Sequence, residues 1–292
     1  MPSPARGSPF HSLSLDVMVD SSRSFRDFER AGWEDAQVVE LYEQHLSRIT
    51  TQSIGALLDA ANVRSETRVL DVGTGPGYVA GAAAQRGANA VGIDFSAALV
   101  ERARNRYPAI RFEQADAEAL PFEASTFDAV VNGFGICHVP RPDVALREAF
   151  RVLNPGGRIA FTVFDLPERA VAFGAVYAAV RAHGILDVGL PAGPSYFLFS
   201  DPDYSRKALL DAGFSSPTFR QVPQVWRVTD PDQVFEIIAN GSVRAAATLR
   251  AQSSSARASI KASIRNTVFA YKCGENFDVP APAVLAAAIK EC

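Results

Sequence analysis

With 292 residues, 48% hydrophobic and 21% charged, the chain has the make-up of an ordinary globular protein and enough length for a large core. Its net charge of −3 gives no electrostatic reason to expect nucleic acid or an anionic membrane as a partner. No stretch reads as a bilayer span, and Cys137, Cys273 and Cys292 are odd in number and lack metal-ligand spacing. No metal is therefore expected, and a reduced, cytoplasmic protein is the default.

Residues 1–28 are rich in Ser, Pro and Arg and read as a flexible tail, ordered only near Phe25 or Phe28. From Trp33 to Ala61 the apolar positions, among them Val38, Leu41, Ile49 and Leu57, fall near a 3.6-residue period. That pattern predicts two helices with a break at Thr50-Thr51-Gln52. Next, Val69, Leu70 and Val72 form a short apolar strand, followed by Gly73, Gly75 and Gly77 and an Ala-rich helix from Tyr78 to Arg86 that Gly87 stops. A strand, a glycine loop and a helix N-terminus in that order make a cradle for a nucleotide-type cofactor. Gly73 and Gly75 fit a dinucleotide fingerprint, but its third position is Tyr78, where a small residue is needed. A P-loop is excluded because no Gly-Lys-Ser/Thr follows.

A second strand, Ala88 to Asp94, ends in a carboxylate twenty-one residues after Gly73, where it can accept from both ribose hydroxyls. Ser96 is placed to cap a helix buried through Leu99, Val100 and Ala103, and Phe95 offers an aromatic face to adenine. A third strand at 110–114 leads to Asp116-Ala117, and a fourth from Phe127 leads to Asn132-Gly133. A helix starting at Pro142 ends at Asn154-Pro155-Gly156-Gly157, before a fifth strand, Arg158 to Val163.

Gly-x-Gly-x-Gly preceded by Asp71 resembles the first motif of the class I S-adenosylmethionine-dependent methyltransferases. Asp116-Ala117, Leu120-Pro121-Phe122, Phe-Asp-x-Val from Phe127 and Arg-Val-Leu-Asn-Pro-Gly-Gly from Arg151 extend the likeness. Together they are closely similar to the methyltransferase type 11 family, which includes ubiquinone- and menaquinone-pathway enzymes. The likeness covers about residues 60–165. It implies a Rossmann-like α/β fold: a doubly wound seven-stranded sheet, six strands parallel and an antiparallel seventh inserted near one edge. N-terminal helices and a helical cap insertion would complete it. It also implies S-adenosyl-L-methionine as cofactor. Gly73, Gly75 and Gly77 would approach its methionine end, with Asp71 and the Asn132 carbonyl at the ammonium. Asp94 would hold the ribose, beside Phe95. Asp116 would accept from the adenine amino group, and the Ala117 N–H would donate to a ring nitrogen.

A methyltransferase domain is accordingly expected over 29–292, with cap segments at about 166–202 and 230–272. Aromatic residues there and in the leading helices, namely Trp33, Tyr42, Phe173, Tyr177, Tyr196 and Phe197, are the candidate acceptor-pocket residues. A sixth strand is expected near 217–228 and helices over 230–272. Ala283 to Lys290 has helical propensity but falls where the family pattern implies the last strand, which is the reading preferred. His138, just past the fourth strand, is the candidate general base if the acceptor must lose a proton, with a structural role as the alternative. His183 and Glu236 are weaker candidates.

The expected reaction is in-line methyl transfer to a small, largely hydrophobic acceptor such as a quinone, polyketide or terpenoid-like metabolite. Arg244, Arg250 and Arg257 leave room for an acidic tail on it, though solvated helix faces explain them more simply. Two other readings stay open at this point: a protein of this fold that binds the cofactor as a cyclase or regulatory binder, and an NAD-dependent oxidoreductase.

Overall fold

The structure is a computed structural model that describes residues 15–291, with side chains from Arg23 onward. Helix α1 (Leu15–Glu34) leads into α2 (Ala36–Leu41), whose first turn is capped by Asp35 accepting from the N–H groups of Gln37 and Val38 at 2.8 and 3.2 Å. A π-helical turn at Tyr42–Leu46, α3 (Ser47–Thr50), a 3₁₀ turn at Thr51–Ser53 and α4 (Ile54–Ala60) follow. The break expected at residues 50–52 is that 3₁₀ turn. The stretch expected as a flexible tail is helical from Leu15 on, and Phe25, where order was expected to begin, is fully buried. Residues 1–14 lie outside the described residues.

The sheet is built from β1 (Arg68–Val72), α5 (Tyr78–Gln85), β2 (Asn89–Asp94), α6 (Ala97–Arg106), β3 (Arg111–Gln114), β4 (Phe127–Gly133), α7 (Pro142–Val152) and β5 (Leu153–Phe164). After it come α8 (Val171–His183), α9 (Pro202–Asp211), β6 (Ser215–Val222), β7 (Val225–Val228), α10 (Gln233–Gly241), α11 (Arg244–Arg250), α12 (Ser254–Phe269), β8 (Lys272–Cys273), β9 (Asn276–Pro280) and β10 (Ala283–Ile289). Seven strands pair in the order β3-β2-β1-β4-β5-β10-β6, with β10 antiparallel to both neighbours.

Alternate residues of each central strand enter opposite cores, which is why the strands are apolar throughout. Val69 and Val131 face α4, α5 and α8, while Leu70 and Val130 face α7 and α9. The same two-sided burial decides the C-terminus. Every residue from Ala283 to Ala288 is buried between β5 and β6, and the ladder prevails over the helical propensity of its alanines.

Two details differ from the sequence expectation. The sixth strand divides at Pro223-Gln224, so that β7 leaves the main sheet and joins β9 and β8 in a three-stranded one. Gln224 is buried at the branch, donating from Nε2 to the Ile49 carbonyl at 2.9 Å. The Asn154–Gly157 stretch is not a free turn either. It runs on into β5, where the Gly156 N–H donates to the Lys290 carbonyl at 2.7 Å.

Candidate active site

The carboxyl ends of β1, β2 and β4 open into one cavity, as expected for a ligand site in an open parallel sheet. The loop after β1 carries Gly73 and Gly75 at φ +68° and +52°, a region side chains avoid. A Cβ on Gly75 would meet nothing within 4 Å, so this residue presents bare backbone to the cavity. Its N–H donates to Asp94 Oδ2 at 2.9 Å, and the Ser96 N–H donates to Asp94 Oδ1 at the same distance. Each oxygen keeps a lone pair for a hydroxyl ligand. Burial pushes the Asp94 carboxyl up to about 6, against these N–H groups and the nearby His138.

Further along the wall, Asp116 Oδ1 accepts from the Glu118 N–H at 2.9 Å. Ala117 and Phe95 line the cavity beside it. Asn132 lines it too, but its side chain is a staple: Nδ2 donates to the Val72 carbonyl at 2.6 Å, and Oδ1 accepts from the N–H groups of Gly135 and Ile136 at 2.9 and 2.8 Å.

Two expected cofactor residues do not reach the cavity. Asp71 is fully buried, with Oδ2 accepting from Thr74 Oγ1 at 2.6 Å and from the Ala80 N–H at 3.0 Å. It fastens the glycine loop to the first turn of α5, and burial pushes its carboxyl up to about 7. Gly77, at φ +85°, is the N-cap of α5, where a Cβ would lie 3.0–3.2 Å from Phe112, Tyr107 and Ala103. It shapes the turn behind the cavity.

The opposite wall comes from the cap. Phe173 and Tyr177 of α8, Tyr196, Trp33 and Tyr42 all line the cavity. Trp33 meets Tyr42 and His138 edge-on, with ring centres 5.5 and 5.2 Å apart. Tyr42 sits in the π-helical turn and bonds Thr50 Oγ1 at 3.2 Å; burial pushes its phenol up to about 12. Phe197 is the exception. It stands behind the wall, against Tyr177 and Tyr196 at 5.4 and 5.2 Å.

Besides the expected Trp33, helix α1 brings two groups that the sequence reading passed over, Glu29 and Arg26. Phe25, Glu29 and Trp33 are spaced four apart and so share one helix face, a signal that the Ser- and Arg-rich composition hid. The Glu29 carboxylate is 1% exposed, and its Oε2 lies 2.8 Å from His138 Nδ1. Its Oε1 lies 2.8 Å from Arg244 Nε, an ion pair whose N–H does not point along the contact. Arg26 bonds Glu118 at 2.5 Å and approaches Asp116 to 3.5 Å, while Ser96 Oγ donates to the Trp33 carbonyl at 2.8 Å. Thus α1 lies across both ends of the cavity.

His138 sits on the 3₁₀ turn after β4. Burial alone would lower it, but the neighbouring Cys137 and the Glu29 carboxylate outweigh that and push it up to about 10. Arg244 is not on a solvated face: it bonds the carbonyls of Pro194, at 2.8 Å, and Cys137, and lies over the rings of Phe25 and Tyr196. Arg250 is exposed, and Arg257 lies over the Phe235 ring. His183 belongs to a separate surface depression, and Glu236 pairs with Lys261 at 2.6 Å. Among the described residues there is no His, Cys, Asp and Glu grouping suited to a metal, and no helix long and apolar enough to cross a membrane.

Bare backbone at Gly75, a carboxylate with free lone pairs at Asp94 and the Asp116-Ala117 edge beside Phe95 fit an amino-acid nucleoside laid along the strand ends. Residues 70–161 match the profile of a family described as methyltransferase domain. A demethylmenaquinone methyltransferase of Renibacterium salmoninarum is 32% identical over 176 residues, covering 57% of this chain and 74% of its own. A malonyl-[acyl-carrier protein] O-methyltransferase of Salmonella typhimurium is 35% identical over 148 residues, 50% of this chain and 59% of its own. In fold, the chain is similar to a Haemonchus contortus phosphoethanolamine N-methyltransferase solved with S-adenosylhomocysteine, with a TM-score of 0.57, 19% identity and coverage of 92% of this chain and 60% of that one.

Proposed function

The chain belongs to the class I S-adenosylmethionine-dependent methyltransferases of the quinone-pathway type, and on that premise we propose that it methylates a small, largely hydrophobic acceptor carrying an oxygen beside the methylated atom. S-adenosylmethionine is the cofactor; when bound, it supplies an electrophilic methyl group on a sulfonium, open to in-line displacement. Gly73, Gly75, Asp94, Phe95, Asp116, Ala117 and Asn132 are the residues assigned to hold it. The Gly75 backbone admits the methionine end, Asp94 accepts from the ribose hydroxyls, and Asp116-Ala117 reads the adenine edge. Asp71 and Gly77 are reassigned to holding the loop in shape.

The observation that carries the acceptor reading is the aromatic wall of Trp33, Tyr42, Phe173, Tyr177 and Tyr196 facing the glycine loop across one cavity. Such a wall orients a flat, apolar molecule and excludes water, and alignment of this kind supplies roughly 7–11 kcal/mol in well-oriented reactions. His138 is one of the polar groups beside that wall, with Arg244 and the tyrosine hydroxyls. Held near 10, His138 is an imidazolium at neutral pH, so it pairs as a hydrogen-bond donor with an acceptor oxygen whose proton has gone to solvent, and becomes a base itself only as the pH rises through that value. Relatives named for demethylmenaquinone make hydroquinones with an apolar tail the first acceptors to try.

The test is transfer of labelled methyl from S-adenosylmethionine to a panel containing a short-tailed naphthohydroquinone, other phenols, amines and an acyl-carrier protein. Turnover of the hydroquinone or an apolar phenol is expected. Turnover confined to the carrier protein or to hydrophilic amines would contradict the acceptor reading.

A further inference from the structure

Glu29 is a carboxylate with 1% exposure on a helix that is otherwise a cover, and it is spent on neither a helix cap nor a surface ion pair. It reaches 109 residues along the chain to His138 Nδ1 at 2.8 Å. With Nδ1 held, Nε2 is the ring nitrogen left for the cavity that His138 lines. The ring is wedged as well, edge-on to Trp33 at 5.2 Å and to Tyr196 at 6.0 Å. We propose that Glu29 is the positioning residue of this site: α1 carries its carboxylate across the cavity to His138 Nδ1, so the imidazole is held with its proton toward an acceptor oxygen only while α1 lies closed over the cavity.

The inference rests on the donor role given to His138 above and adds what assembles it. A histidine's free nitrogen takes its tautomer and direction from the bond the other nitrogen makes, and a carboxylate at Nδ1 favours the charged ring. The charged and titratable groups around the ring come from every neighbouring element. They are Glu29 on α1, Cys137 on its own turn, Asp94 at the end of β2, Tyr177 on α8, Tyr196 in the loop after it and Arg244 at the start of α11. Cys137, on the same turn, and Glu29 both raise His138, and Glu29 is the one of the two that α1 brings, bonded to Nδ1 at 2.8 Å. Arg244 acts with the opposite sign, since a neighbouring cation disfavours a charged imidazole.

The proton is therefore the readout, and it needs no acceptor. The full-length protein, loaded with S-adenosylhomocysteine, is titrated by NMR of its histidine ring nitrogens, with His138→Gln assigning the resonance. The wild-type midpoint is expected near 10. In Glu29→Gln it should fall by roughly one to three pH units. In Arg244→Gln, which leaves the Glu29 contact in place, it should stay or rise. Gly32 gives a variant that leaves both partners intact: its Cβ would come 2.5 Å from Val243 Cγ1, so Gly32→Leu lifts α1 and should also lower the midpoint.

An unchanged midpoint in Glu29→Gln would overturn the proposal. So would an equal fall in Glu29→Gln and Arg244→Gln, which would mean general loosening instead of a specific charge. If the acceptor reading fails in the methyl-transfer panel, these titrations still stand, and if the titrations fail, methyl transfer is untouched.

Discussion

Around the glycine loop, many polar contacts join residues close in the chain, Ser96 to Asp94 two residues apart, Gly135 to Asn132 three and Ala80 to Asp71 nine, although Asn132 also reaches Val72 over sixty. Across the cavity the contacts span the protein. Glu29 meets His138 over 109 residues, and Arg244 meets Cys137 over 107. The first wall is made by local turns and by bonds between neighbouring strand ends that form with the sheet, whereas the second exists only once α1 and α11 have docked. Damage to one wall should therefore leave the other working.

The largest effect is expected at Gly75. A valine there must hold φ +52° and projects into the space assigned to the cofactor. The left-handed conformation costs roughly 1–2 kcal/mol, equivalent to a few degrees of Tm. Calorimetry should detect no cofactor binding. Retained binding would remove Gly75 from the cofactor wall.

On the other wall, His138→Ala should lower kcat by about 10²–10³, the usual loss of one aimed donor in a closed site, with cofactor affinity unchanged. A parallel loss of cofactor affinity would mean that the two walls are not separable. Acidity sharpens the comparison from the cofactor side. Asp94 accepts hydroxyl donors best when ionised, so affinity should fall as the pH drops through about 6. An affinity flat from pH 7 to 5 would place the ribose elsewhere.

The smallest effect is on stability. Because the folded pKa of His138 is raised, its contribution is fully present below 6.5 and is lost as the pH rises through about 10. Denaturation midpoints of wild type and Glu29→Gln should therefore converge between those limits. A constant gap would show that the pair is not ionic.

The cofactor wall was legible because its elements are periodic and its loop chemistry is local. Strand ends at Asp94 and Asn132 and the Ser96 cap all follow from residues within a few positions. Asp71 and Gly77 shared those motifs yet turned inward, since nothing in the spacing says on which side of a loop a group faces. The cap wall was half legible: aromatic residues announced a pocket, and Phe197 differs from Tyr196 only in falling one layer back. Glu29 was hidden for another reason. Its importance depends on partners more than a hundred residues away, and the polar composition around it resembles a solvated tail. The β7-β9-β8 sheet escaped notice because β8 has two residues and β9 five, too few for a clear period.

The most direct test is isothermal titration of S-adenosylhomocysteine into Asp94→Ala and Glu29→Gln beside the wild type. Losing one or two hydrogen bonds to a charged group costs roughly 1.5–3 kcal/mol each. Asp94→Ala should therefore bind at least about tenfold more weakly, while Glu29→Gln stays within about 0.5 kcal/mol of wild type. Wild-type affinity in Asp94→Ala, or an equal loss in both variants, would contradict a cofactor wall and an acceptor wall that are separately built.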